Sequence, residues 1–482
     1  MKIHINKIYK QRKEPLLGII LYLGFFITSC NKLVTIDPPT DTIVSEQAFS
    51  NDYNANTSVN GLYSKLVLQN QPTSFGNGAI SIFCGTASDE LIQLFNDDDQ
   101  FQFYNNEILS KNGYISNRLW QQPYATIYGA NACLEQLKNN PNLSVNVRDR
   151  LIGESKFIRS FCYFYLVNMF GDVPYLASTD YKVNSLSKRT SKDEIYSNII
   201  SDLESSVNVL PNDYSLFNSQ KIRCTKWAAM ALLARTYLYT GNWAKAEQYA
   251  NMVISSNNFS LSTNLNDVFL TNSSEAILQL AIDGSIPVYN VTPEGLITVP
   301  RVKVVPPNYS LPQSFINEFE PGDKRFTSWI DSSISSSVVY YFPYKYKMGP
   351  AQRIVNGMPT EYYMVLRLAE QYLIRAEARA HIQNLSGAAD DVNIIRTRAG
   401  LGPVSFSSLD DAIDKILAER KKELFYEWGN RWFDLKRTGK VNDVMSKVTP
   451  LKGGTWSNTD ALFPIPVSEM LTDPNLIQNA GY

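Results

Sequence analysis

Residues 226 to 256 read KWAAMALLARTYLYTGNWAKAEQYANMVISS. Alanines at 228, 231 and 234 recur every three residues, which puts small side chains on one face of a helix and lets a neighbouring helix approach closely. Gly241 breaks the pattern. Asn242 is an N-cap for a second helix beginning at Trp243, because its side-chain oxygen can accept a hydrogen bond from a free N–H of the first turn. The stretch therefore predicts a helical hairpin whose two arms pack through small residues.

This small-residue and aromatic pattern resembles a tetratricopeptide repeat, in which helix pairs stack on one another. Working outward, GESKFIRSFCYFYLVNMF (153–170) has apolar side chains at 157, 158, 161, 162, 165, 166 and 169, one broad helical face, and GDVP (171–174) ends it. Ser191 and Glu194 have capping-box spacing for a partner helix running to about Leu210, ahead of Pro211. A third pair is LRLAEQYLIRAEARAHIQN (366–384) with SGAADDVNIIRTRAG (386–400), and a fourth opens with a helix from about Leu409 to Trp428. Between the second and third pairs, about 257–361, helical periodicity fails. That stretch is rich in Asn, Ser, Pro and Tyr and contains the β-prone runs TVPRVKVV (298–305) and SSVVYYFPYKY (336–346). The expected fold is mainly α: tetratricopeptide-like helical pairs forming a scaffold, with a loop-rich insertion containing short β-strands. Residues 42–482 are expected to form a single domain, its recognition residues in the insertion, since loops carry function on rigid supports.

At the N-terminus, Lys2, Lys7, Lys10, Arg12 and Lys13 precede an apolar run from Leu16 to Ile27. Twelve residues fall short of the about 20 that a spanning helix needs, so residues 1–29 read as a signal peptide. Ile27, Thr28 and Ser29 before Cys30 resemble a bacterial lipobox, so Cys30 is the expected lipidation site, and residues 30–41 a tether in which Pro38 and Pro39 oppose helix.

The whole sequence has a net charge of −1, and loss of the basic leader makes the remainder more acidic, which disfavours nucleic-acid binding. Cys84, Cys133, Cys162 and Cys224 lack the paired spacing of a disulfide framework or zinc site. Beyond the leader His381 is the one histidine, and no nucleophile elbow, HExxH helix, P-loop or dinucleotide glycine motif occurs. Glycosidase carboxylate pairs are not visible in sequence spacing. No enzyme activity, cofactor or metal is expected.

These residues resemble the SusD/RagB family of outer-membrane lipoproteins of Bacteroidetes. The likeness runs from Cys30 to Tyr482 and rests on SDE (88–90), WQQPYATIYGAN (120–131), FGDVPY (170–175), the hairpin at 226–246, LRLAEQYLIRAEARA (366–380), NIIRTRAGL (393–401), ERKKELFYEWGNRWFDLKRTG (419–439) and FPIPVSEMLTDPNLIQNAGY (463–482), in that order. EWGNR and DPNL depart from the family's usual wording, and no acidic surface-export signal follows Cys30. The resemblance implies a cell-surface, outer-membrane-anchored subunit that binds oligosaccharide or polysaccharide, or in some members peptide. It would deliver that ligand to a SusC-like TonB-dependent transporter for import. A non-binding structural scaffold for the transporter is the alternative from another class.

Sugar sites need flat aromatic platforms with polar side chains around them. Two regions offer both, FNDDDQFQFYNNE (95–107) and residues 329–346, and the candidate ligand-binding residues are Trp329, Tyr341, Tyr344, Phe95, Asn96, Asp98 and Tyr104. Trp329 is the leading platform because WIDSSISSS puts it at a polar loop boundary, and Trp456 is a second loop tryptophan. The blander expectation is that Phe101, Phe103 and Tyr341 alternate in short strands and fill the underside of the insertion. Trp120, Trp227, Trp243, Trp428 and Trp432 fall in helical patterns or family motifs and read as packing. The segment from Asn96 to Glu107 has the length of a calcium loop but Phe101 where glycine is required, which argues against the ion. Glu419, Arg420, Glu423, Arg431, Asp434 and Arg437 recur at helical spacing and read as ion pairs holding the last helices to the body.

Overall fold

Asn51, Asp97, Ser191, Asn242, Asn384 and Ser408 each start a helix by capping it through the side chain. In the computed structural model, which describes residues 45–67, 73–282, 290–354 and 357–482, α1 spans Asp52–Leu66, α2 Ala79–Ala87, α3 Asp98–Tyr104, α4 Gln122–Leu137 and α5 Val145–Phe170. The chain continues with α6 (Lys192–Val209), α7 (Lys226–Tyr239) and α8 (Trp243–Ile254), and after the insertion with α9 (Leu368–His381), α10 (Leu385–Arg398), α11 (Leu409–Leu424) and α12 (Asn430–Arg437). Ser191 and Asn242 cap α6 and α8 by accepting from the N–H groups of Glu194 and Lys245, both at 3.3 Å. The expected signal peptide, the Cys30 lipidation site and the tether lie outside the described residues. Ser45–Ala48 is a short helix in a unit comprising residues 1–48, and residues 49–482 form a second unit.

Ala228, Ala231 and Ala234 are fully buried, and α7 packs between α6 and α8. Apart from Lys156, α5 is buried from Gly153 to Phe170, so its wide apolar face belongs to a central helix contacting α4, α6 and α1. It begins at Val145, ahead of the apolar stretch that announces it. After the insertion α9 returns to pack on α8, so the helical stack continues across residues 257–361. Ala369, Leu373 and Ala376 of α9 share a core with Val392 and Ile395 of α10 and Ile416 of α11.

The fourth pair departs from expectation. Its first helix stops at Leu424, not Trp428, and the chain turns through Tyr426 (φ 57°) and Trp428 (φ 51°), left-handed conformations that bulky residues rarely adopt. Packing holds the turn. The Trp428 ring lies 5.2 Å from Phe161 and 5.3 Å from Tyr165, and its indole N–H donates to the Met364 carbonyl at 2.6 Å.

Short antiparallel strand pairs decorate the stack: β1 (Ile92–Gln93) with β5 (Tyr309–Ser310), β2 (Val173–Pro174) with β3 (Arg189–Thr190), β4 (Ala276–Leu280) with β8 (Tyr363–Arg367), and β6 (Ile330–Ser335) with β7 (Val338–Pro343). The β6–β7 hairpin turns at Ser336 and Ser337, both with positive φ, as a two-residue hairpin loop requires. SSVVYYFPYKY thus supplies a strand, whereas TVPRVKVV does not. Thr298 closes a helix at Pro293–Thr298 that Thr292 caps, and 299–305 run outside any strand.

A buried ion network ties the insertion to the helices. Arg367 reaches Glu275 at 2.7 Å, Glu423 at 2.6 Å and Glu427 at 2.8 Å, while Arg325 reaches Asp323 at 2.8 Å and Glu419 at 2.6 Å. Arg420 pairs with Asp434 at 2.7 Å, Arg437 with Glu377, and Arg431 with Asp89 at 2.7 Å, so Glu419, Arg420, Glu423, Arg431, Asp434 and Arg437 are all ion-paired along the last helices. Among the described residues, no helix is long and apolar enough to cross a membrane.

Candidate functional site

The SDE motif leads into β1, and the loop after it is tightly organised. Asp97 caps α3, accepting from the Gln100 N–H at 3.0 Å and from the Tyr114 hydroxyl at 2.8 Å. Asp99 accepts from the Gly113 N–H at 3.0 Å, and Glu107 accepts from the Asn105 amide at 3.0 Å. Asn112, fully buried, donates to the Asp99 carbonyl and the Gln102 side chain and accepts from the N–H groups of Tyr114 and Ile115. A π-helical segment, Ile115–Gln121, then feeds into α4. Asp97, Asp99 and Glu107 of the supposed calcium loop are thus engaged in helix capping and loop closure, while among the described residues no cluster of His, Cys, Asp and Glu has the arrangement of a metal site.

Phe101 and Phe103 sit on a helix, not on a strand. At about 100° per residue, positions two apart point to different faces. Phe103 is buried and stacks on Phe83 at 4.6 Å, whereas Phe101 is 41% exposed beside Tyr104, their ring centroids 5.4 Å apart. Tyr104 is half-buried under the Lys452 ammonium, 5.2 Å above its ring. Burial pushes Lys452 down to about 7. Asn96 and Asp98 are exposed, and Phe95 is half-buried, edge-on to Tyr309 at 5.4 Å.

Through β5 this loop joins the second candidate region. Gln93 pairs with Tyr309, and the Leu311 N–H donates to the Tyr341 carbonyl at 2.7 Å. Tyr341 is half-buried and begins an aromatic row: Phe326 lies 6.0 Å from it and Phe319 5.8 Å farther on. Phe319 and Phe326 line a hollow of about 380 Å³ with Glu320, Asp323, Lys324 and Thr327. Its rim is held rigidly, because Arg396 bonds Glu320 at 2.7 Å, holding that carboxyl down to about 2, and Asp323 caps the helix Lys324–Trp329. Gly322, at φ +89° with open space beside it, makes the turn. Tyr344 is half-buried beneath the Lys347 ammonium, 4.4 Å from its ring, and burial lowers that lysine to about 8.

The expectation for Trp329 is overturned. It is 0% exposed, it donates from its indole to the Leu265 carbonyl at 2.9 Å, and it lies 4.6 Å from the Lys345 ammonium and 5.9 Å from Phe269. The polar sequence after it belongs to a hairpin exposed towards its tip, while Trp329 closes the preceding helix and is enclosed. A tryptophan with both faces enclosed offers a sugar nothing to stack on. Trp456 is half-buried against Trp432 at 6.1 Å.

Of the remaining candidates, Phe95 and Tyr341 are linked through β5. Tyr104 and Tyr344 are each covered by a lysine. Phe101, expected to fill the underside of the insertion, is exposed instead, and the rings that line the hollow, Phe319 and Phe326, are not among the sequence candidates. The signal for the last two was present in FINEFEPGDKRF (315–326), where phenylalanines flank a Pro-Gly turn. His381 takes no part in either region and stacks on Trp243 at 3.7 Å. Around the hollow, half-buried rings lie beside the Glu320 carboxylate that Arg396 fixes, an arrangement suited to recognition rather than that of a nucleophile with its base.

Residues 44–238 match the family described as starch-binding and associating with the outer membrane, and residues 327–482 match the SusD family. A SusD-like protein, P25, of Formosa agariphila is 26% identical over 96% of this chain and 98% of its own length. The starch-binding protein SusD of Bacteroides thetaiotaomicron is 24% identical, covering 68% of this chain and 72% of that protein. Among solved structures, a laminarin-binding SusD-like protein superposes with a TM-score of 0.74 at 24% identity, covering 90% of this chain and 100% of that one.

Proposed function

This chain belongs to the SusD family, and from that premise we propose that it is a cell-surface lipoprotein, anchored at the outer membrane through Cys30, that captures oligosaccharide or polysaccharide for a SusC-like TonB-dependent transporter. The observation that carries the reading is the half-buried row Phe319, Phe326 and Tyr341, the first two lining a hollow with Glu320, Lys324 and Thr327 at its rim. Aromatic faces suit the C–H patches of sugar rings, and Glu320, Lys324 and Thr327 supply acceptors and donors for hydroxyls. Phe101, Asn96 and Asp98 extend the surface along the loop joined through β5. The protein acts on this reading by capture without turnover, so glycan incubated with it should release no reducing ends. The starch- and laminarin-binding relatives support a polysaccharide ligand.

Affinity gel electrophoresis against starch, laminarin and a panel of other soluble polysaccharides tests this. The parent protein is expected to be retarded by at least one glycan, and Phe326→Ala and Tyr341→Ala to weaken that retention about tenfold each, ~1.4 kcal/mol. Calorimetric binding of oligopeptides with no glycan retained would replace the reading with a peptide receptor. Binding of neither would leave a scaffold for the transporter.

A further inference from the structure

Where α5 ends, its last carbonyls border a pocket of about 370 Å³ whose walls carry Arg189, Lys192, Lys436 and Arg437. None of these belongs to the aromatic surface. Arg437 is neutralised by Glu377 and by Asp434 at 2.8 Å. The other cations have no such partner: among the described residues no ion pair reaches Arg189, Lys192 or Lys436. Arg189 donates to the carbonyls of Asp172 at 2.7 Å and Ile477 at 2.8 Å and to the Asn479 side chain at 2.6 Å, all of them neutral acceptors. The Lys436 ammonium donates to the Asn168 carbonyl. Asp172 is the one carboxylate in the pocket wall, and it accepts the backbone N–H of Lys192 at 2.8 Å.

A purely structural role would have these cations close the C-terminal end of α5. A helix terminus carries only about half an elementary negative charge. Adding Asp172 leaves the pocket with more positive than negative charge, and an unpaired cation held away from water is costly. The cost is visible at Lys436, which burial, with Lys192 adding to the effect, pushes down to about 7. Burial likewise lowers Arg189, although the nearby Asp172 carboxylate opposes the shift. An anion with several acceptor oxygens would supply the missing charge. Of the remaining walls, Val167, Gly171, Leu462 and the rings of Tyr196 and Tyr239 are suited to a carrier with a nonpolar face, the Tyr196 ring lying 5.8 Å from the Lys192 ammonium.

We propose that this pocket is a second ligand site, taking an oxyanion group, a carboxylate or sulfate ester, borne on a sugar. The sugar carrier rests on the glycan-capture reading, whereas the oxyanion site rests on the cations alone.

Isothermal titration calorimetry of the purified protein with glucuronate, glucose 6-sulfate, inorganic sulfate and neutral glucose tests it at low ionic strength. At least one of the two sugar acids should bind, more tightly than inorganic sulfate, and glucose should not. Lys192→Ala, at the exposed start of α6, should weaken binding about tenfold, as removal of a charge-assisted hydrogen bond does. Lys436→Met should abolish it in a protein that remains folded by circular dichroism. Absence of binding by any anion, or equal binding by the parent and Lys192→Ala, overturns the proposal. Inorganic sulfate binding as tightly as the sugar acids overturns the sugar carrier. Loss of polysaccharide capture at Phe326 and Tyr341 would not alter these titrations, so the two readings fail separately.

Discussion

Trp329 is enclosed by Phe269, Phe425 and Lys345, so truncating it removes packing without touching a ligand surface. Trp329→Ala is expected to cost about 3–5 kcal/mol in denaturant unfolding, the usual range for a buried large aromatic, with glycan retention unchanged in whatever fraction stays folded. Phe326→Ala should do the opposite, costing less than about 1 kcal/mol of stability while lowering affinity. A second residue-scale consequence comes from buried acids. Burial raises Glu294 to about 8 and Glu90 to about 7, against an ordinary value of 4.5. A carboxyl whose folded pKa is raised contributes stability that is fully present below the unfolded value and is lost as pH rises through the folded one. Thermal midpoints should therefore decline between about pH 5 and 8, and Glu294→Gln should flatten that decline and melt higher than the parent at about pH 8. A variant with the parent's pH profile would show that Glu294 does not titrate in this window. Asp89 and Glu423, which ion-pairing arginines hold below the ordinary carboxylate range, act in the reverse sense only in acid.

At the scale of elements, the break between α11 and α12 does most to shape the core. Gly429 caps α12 at φ +66°, and a Cβ there would meet the Cβ of Cys84 in α2 at 2.6 Å. Neither atom can swing away, so Gly429→Ala is expected to destabilise by about 1–3 kcal/mol, read as a lower urea midpoint with an unchanged slope. Elements with local caps were legible in the sequence: Ser191 and Asn242 start helices, and Gly171 ends α5 at φ +73°. The stop at Leu424 was not, because its cause is the seating of Trp428 against Phe161 and Tyr165, residues far away in the chain. Phe101 and Phe103 were misassigned for a related reason. Their alternation mimics a strand, while the Asp97 cap that makes the segment helical competes locally and wins.

At the scale of the whole molecule, Arg367 joins β8 to Glu275 beside β4, to Glu423 of α11 and to Glu427 in the following turn. Removing it leaves buried carboxylates facing one another, so Arg367→Met should lose about 3–5 kcal/mol. Lys440→Ala, which breaks an exposed pair with Asp414 at 2.6 Å, should change stability by less than about 1 kcal/mol. Equal effects of the two substitutions in urea unfolding would remove the case for a buried hub.

The sequence by itself determined the helical pairs, most of their caps, the irregular insertion between the second and third pairs, and the family. Each depends on periodicity, turn chemistry or motif order within a short span. Tertiary structure decided which aromatics face solvent. Trp329 and Phe326 lie in the same short helix, yet one is enclosed by the ion network and the other borders an open hollow. That difference comes from partners distant in the chain, Leu265, Phe269 and Phe425 around Trp329 and Tyr341 beside Phe326, and contacts between distant segments leave no periodic trace in the chain. The cation pocket is legible only in the same way, since Arg189, Lys192 and Lys436 meet because β3, α6 and α12 converge on the end of α5.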